Sequence, residues 1–136
     1  MKTVALIACV SGKKKTKSAA IDLYNTDLFN KSVAYCVSQR VDDIYILSAK
    51  YGLVSQYQLI EPYDLTLKNM NIAERRAWST EVLLELKSKE NISDTKFIVL
   101  AGNNYRADIM NALPISVVPL KGLGIGKQLQ WLKNNT

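Results

Sequence analysis

Four short apolar runs punctuate the chain: Val4 to Val10, Ile44 to Leu47, Phe97 to Leu100 and Ile115 to Val118. Each is of strand length, rich in β-branched residues, and does not alternate strictly with polar positions. Strands buried on both faces read this way, which is the expectation for a parallel sheet covered by helices.

Helical spacing fills the gaps. Leu28, Phe29, Val33, Cys36 and Val37 keep one face from about Asp27 to Arg40, with Asn25 or Thr26 as the cap. The longest helix is predicted to start at Asn71, because Glu74 three residues on completes a capping box, and to run to about Lys89. Ala73, Ala77, Thr80 and Leu84 mark its face, with Trp78, Val82 and Leu86 beside it. A third helix is expected from Asn103 to Asn111 with Tyr105, Ile109 and Met110 inward, and a fourth from Gly124 to Lys133. Strands alternating with helices predict right-handed crossovers and a doubly wound, three-layer α/β/α sandwich. Its sheet is expected to be mostly parallel, four-stranded or slightly larger, and of Rossmann or flavodoxin type. The segment from Leu53 to Met70 reads as one long irregular loop, and loops of that length are more often functional than idle.

The 136 residues, 48% of them apolar, fit one α/β domain spanning the whole chain. No stretch approaches the roughly 20 apolar residues of a membrane span, and lysines follow the apolar start where a secretory leader would place a cleavage site. A cytoplasmic location without membrane contact is the expectation. With no histidine and two cysteines, Cys9 and Cys36, both in apolar segments, zinc sites and imidazole-based nucleophile pairs lose their usual ligands and bases. No metal and no cofactor is expected, and any acid or base is Asp, Glu, Lys, Tyr or Cys. A formal charge of +6 favours anionic partners, and Lys13, Lys14, Lys15 and Lys17 concentrate it in one loop.

In an open parallel sheet the loops after the strands' carboxyl ends converge on one edge, where ligands bind. Strand one is followed by Ser11-Gly12-Lys13-Lys14, strand two by Ser48-Ala49-Lys50-Tyr51-Gly52, strand three by Gly102-Asn103-Asn104-Tyr105-Arg106, and strand four by Lys121-Gly122-Leu123-Gly124-Ile125-Gly126. Glycine with basic and polar neighbours at such turns suits an anion. Neither the first loop nor the last matches a phosphate-loop or dinucleotide fingerprint. Lys50 follows an apolar strand directly, so its ammonium is expected near the cleft. It serves there either as a point charge on a phosphate or carboxylate, the better reading, or as an amine with a lowered pKa. Tyr51, Tyr63 and Tyr105 are candidates for stacking on a base, and Asp64 and Asp22 for an acceptor or general base.

Leu47 to Leu53, followed by Ile60-Glu61-Pro62-Tyr63-Asp64-Leu65, resembles a short bacterial and phage family catalogued as a domain of unknown function. Cys9, Ser11, Tyr24, Leu28, Phe29, Ala73 to Arg76, Ala101-Gly102, Tyr105-Arg106, Pro119-Leu120 and Gly122 to Gly126 extend the likeness over most of the chain. A more distant likeness joins Tyr51-Gly52-Leu53 and Ile60 with Pro62-Tyr63 to the YaaA peroxide-stress proteins, from which Gln58 and Asp64 depart. The resemblance implies nucleotide or modified-base chemistry by association.

Together these readings give an expected cleft for a small anionic or nucleotide-like ligand. Ser11, Lys13, Ser48, Tyr51, Gly52, Gly102, Tyr105, Arg106 and Gly124 are its binding residues, and Lys50 and Asp64 its catalytic candidates, for example at an N-glycosidic bond or modified base. Whether it catalyses at all, and its oligomeric state, are left open. The alternatives are a non-catalytic DNA- or RNA-binding module that uses the lysine loop, and an interaction protein whose glycine loops are structural.

Overall fold

The structure, a computed structural model, describes residues 1–8 and 13–136. Five strands form a mixed, mostly parallel sheet in the order β4-β3-β1-β6-β7: β1 (Lys2–Ala8), β3 (Asp43–Ser48), β4 (Gly52–Ser55), β6 (Thr95–Leu100) and β7 (Ser116–Val117). The strands β1, β3, β6 and β7 are mutually parallel, with Leu6 opposite both Tyr45 and Val99. Two further short strands, β2 (Ser18–Ala19) and β5 (Leu59–Ile60), pair antiparallel outside that sheet. All four expected parallel strands are present.

The absence of alternation has the expected physical cause. In β1, β3 and β6 the side chains of Val4, Leu6, Tyr45, Leu47, Phe97 and Val99 enter one buried cluster, while Ala5, Ile7, Ile44, Ile46, Ile98 and Leu100 enter another. Neither face is left to water. The first cluster is completed by Trp78, Val82 and Leu86 of α3 (Ile72–Lys89), and the second by Phe29, Tyr35 and Cys36 of α2 (Asp27–Ser38) and Leu132 of α5 (Ile125–Asn135). Two one-turn helices, α1 (Ala20–Leu23) and α4 (Asn103–Arg106), complete the five helices among the described residues.

Local start signals read correctly. The Thr26 hydroxyl accepts from the Phe29 amide at 3.2 Å, capping α2. Asn71 and Glu74 exchange bonds of 2.8 and 3.1 Å as a capping box.

Three expectations are corrected. The buried stripe of α3 is Trp78, Val82 and Leu86 with Ser79, whereas Ala73, Ala77, Thr80 and Leu84 face solvent. A Trp at the start of a four-residue spacing outweighs two alanines in apolar area, and area is what burial rewards. The third helix ends at Arg106, and the chain continues with i to i+3 bonds at Ile109, Ala112 and Leu113. Lastly, Leu53 to Met70 is not one irregular loop. Gly52 adopts φ +74°, reversing the chain so that β4 pairs antiparallel with β3 and buries Leu53 and Val54.

Candidate functional site

The sheet order places a switch between β1 and β6. From β1 the chain crosses to β3 on one side, while from β6 it crosses to β7 on the other. The crossover connections therefore part at the carboxyl ends of these two central strands and leave a crevice. A cavity of about 630 Å³ occupies this place. Ala8, Val99 and Leu100 contribute the strand ends, Thr26, Asp27, Leu28 and Ser32 the start of α2, and residues 101–106 the turn into α4. Val118, Leu120, Ile125, Gln128 and Leu129 line it from the chain after β7, and Thr66 and Lys68 from the segment between β5 and α3. The volume falls within the range of roughly 300–1,000 Å³ usual for small-molecule sites.

Arg106, a predicted site residue, lines the cavity. Its guanidinium donates to the Ala101 carbonyl at 2.7 Å, which fixes the group at the cavity margin with four N–H donors not used in that bond. Gly102 caps α4 in extended conformation, with no heavy atom within 4 Å of where a Cβ would stand. Tyr105 touches the cavity but is 3% exposed, with its ring edge-on to Trp78 at 5.6 Å. It is a wall rather than an open stacking face. Gly124 caps α5 just before the lining residue Ile125.

The Ser48-to-Gly52 segment is a hairpin turn, built by its own hydrogen bonds. The Tyr51 amide donates to the Ser48 hydroxyl at 3.0 Å, and the Trp78 indole N–H donates to the Ser48 carbonyl at 2.9 Å. Ser48 is fully buried, while Lys50 is exposed with its ammonium 5.3 Å from the Tyr51 ring centre. Asp64 and Asp22 are exposed too, and none of these three lines the cavity.

A second polar cluster lies beside that turn. The hydroxyls of Tyr24 and Tyr63 are 2.5 Å apart, the Tyr51 ring meets Tyr63 edge-on at 5.8 Å, and the Lys13 ammonium stands 4.4 Å from the Tyr63 ring centre. Burial pushes the Tyr63 phenol above the ordinary tyrosine range, with the Ser48 hydroxyl, the Tyr24 hydroxyl and the Ala49 backbone pulling the other way. Lys13 thus stands over the rings of both Tyr63 and Tyr24, whereas Ser11 lies outside the described residues.

Lys68 escaped the sequence reading. It follows no strand and no glycine, and only the course of the chain brings it to the cavity. Leu67, fully buried, anchors the segment, and the Thr66 hydroxyl accepts from the Lys68 amide at 3.3 Å. The Tyr105 hydroxyl is 3.5 Å from both Thr66 Oγ1 and the Leu67 amide.

Among the described residues no group of three acidic or cysteine side chains is placed to hold a metal, and no helix is long and apolar enough to cross a membrane. Chemically, the arrangement offers an apolar cavity with two cations and several amide side chains at its margin. A family model described as a family of unknown function, DUF6884, matches residues 4–134. No curated protein and no solved structure matches the chain.

Proposed function

This chain belongs to the DUF6884 family of unknown function, and on that premise we propose that it is a cytoplasmic protein binding a nucleotide, nucleoside or nucleobase at the carboxyl ends of β1 and β6. The observation that carries the reading is the 630 Å³ cavity at the switch in strand order, apolar over most of its lining and edged by Arg106, Lys68, Asn103, Asn104 and Gln128. An apolar interior suits a planar base, and amide side chains at the margin match its hydrogen-bonding edge. The doubly wound, three-layer arrangement of Rossmann or flavodoxin type belongs to the same proposal. Its support is the strand order and the burial of both sheet faces under helices. So does a distant kinship with YaaA proteins, carried by Tyr51-Gly52-Leu53 and Ile60 with Pro62-Tyr63.

Thermal unfolding with a panel of nucleobases, nucleosides and nucleotides tests the reading, since a ligand at 100 times its Kd adds about 2.7 kcal/mol of stability. Gln128→Trp, which fills part of the cavity from half-buried α5, is expected to remove that shift while the circular dichroism spectrum is retained. A flat panel would sink the proposal. If turnover of an N-glycosidic bond is found by chromatography of released base, Lys50→Ala and Asp64→Asn test their catalytic roles, and unchanged rates remove both from the mechanism.

One observation favours a second reading, a DNA- or RNA-binding surface. Lys14, Lys15 and Lys17 are exposed together next to Lys13 and the tyrosine cluster. Affinity for a fluorescent oligonucleotide should then drop steeply with added salt, and a titration without binding at low salt removes this reading.

A further inference from the structure

Resting on the proposed nucleotide site, we infer that Lys68 and Arg106 form a two-cation clamp for one phosphate group, so that the ligand is a nucleoside monophosphate. The charge at the cavity sets the limit. Among the described residues its charged lining groups are Lys68, Arg106 and Asp27, and the Asp27 carboxylate is already paired with Lys31 at 3.1 Å. A phosphate monoester carries about 1.5 to 2 negative charges at neutral pH, which two cations match. Among the described lining residues no further cation stands ready to pair with a second or third phosphate, so those groups would gain little from the site. The remaining lining, rich in Leu28, Val118, Leu120, Ile125 and Leu129, suits the base.

Geometry places the two cations on adjoining elements. Arg106 directly follows Tyr105 and is held by the Ala101 carbonyl, while Lys68 directly follows Leu67, whose amide faces the Tyr105 hydroxyl. Tyr105 therefore ties together the two segments that carry them. A planar guanidinium fixed by a backbone carbonyl supplies directed donors, and the lysine supplies a mobile point charge. The exposed Lys68 side chain contributes nothing to the core, so its removal leaves the fold intact.

Calorimetric titration of the four ribonucleosides and their 5′ mono-, di- and triphosphates tests the inference. For whichever base binds, the monophosphate should exceed the nucleoside by about tenfold, as one charge-assisted contact pair provides, and further phosphates should add less than about threefold. In Lys68→Ala the ratio of monophosphate to nucleoside affinity should fall to within about threefold, and Lys68→Arg should restore it. Nucleoside binding with no gain from one phosphate, or a ratio unaffected by Lys68→Ala, overturns the clamp and leaves the nucleoside site standing. A triphosphate preferred by tenfold overturns it as well. If no nucleoside or nucleotide binds, both the clamp and the underlying site reading fail.

Discussion

The hydroxyls of Tyr24 and Tyr63, 39 residues apart in sequence, share a hydrogen bond of 2.5 Å and join the entry to α2 to the segment after β5. Tyr24 is 2% exposed and stacks obliquely on Phe29 at 5.1 Å, so this bond fastens the segment after β5 to the core. Tyr24→Phe and Tyr63→Phe should each cost on the order of 1 kcal/mol, because each leaves a polar partner behind. The double variant should cost less than their sum, since the bond between the two hydroxyls is lost in either single variant and can be lost only once. Urea midpoints of the four proteins measure this, and strictly additive costs would show that the bond contributes no coupling.

At Gly52 the relevant quantity is backbone angle rather than space. A Cβ there would meet Glu85 Oε1 at 3.5 Å, an ordinary contact, but φ is +74°. Gly52→Ala should destabilise the hairpin by roughly 1–2 kcal/mol, the cost of a left-handed conformation for a side-chain-bearing residue. By comparison Gly124→Ala, with an ordinary φ of −72° and open space, should lose only the advantage glycine has over alanine at a helix N-cap, a smaller cost than at Gly52. Equal denaturation midpoints for the two variants would show that the turn does not require glycine.

Alkaline pH should weaken the protein through the cluster at the foot of the sheet. Lys2 donates to buried Glu90 at 2.6 and 2.8 Å, which raises the lysine above its ordinary value of 10.5. Burial and the neighbouring Glu90 push the Tyr45 phenol up to about 12. Both shifts are upward, so their stabilising contribution is complete below the ordinary values and is lost as pH rises through the folded ones. For Tyr45 that window runs from 10 to about 12. Urea midpoints at about pH 8 and about pH 11 should converge in Tyr45→Phe relative to the parent. A residual loss is expected, because burial also pushes the Cys36 thiol up to about 12. An unchanged difference between the two pH values would remove Tyr45 from the cause.

The amino-acid sequence by itself determined the parts of this protein whose signals are local. Two-sided burial wrote the runs at Val4, Ile44 and Phe97 as unalternating apolar stretches, and the caps at Thr26 and Asn71 follow from side chains meeting amides two or three residues away. The carboxyl edge of the sheet as the place of the candidate site was legible for the same reason, with Gly102 and Arg106 at the cavity. Only the tertiary structure decided which strands are neighbours, and therefore that the switch lies between β1 and β6. It also turned Ser48 to Gly52 into a hairpin, because two apolar residues, Leu53 and Val54, are too few to announce a strand until β3 offers them partners. Lys68 belongs to the same class. Its approach to the cavity depends on the burial of Leu67 and the position of Tyr105, contacts between residues some 38 positions apart that no local pattern encodes.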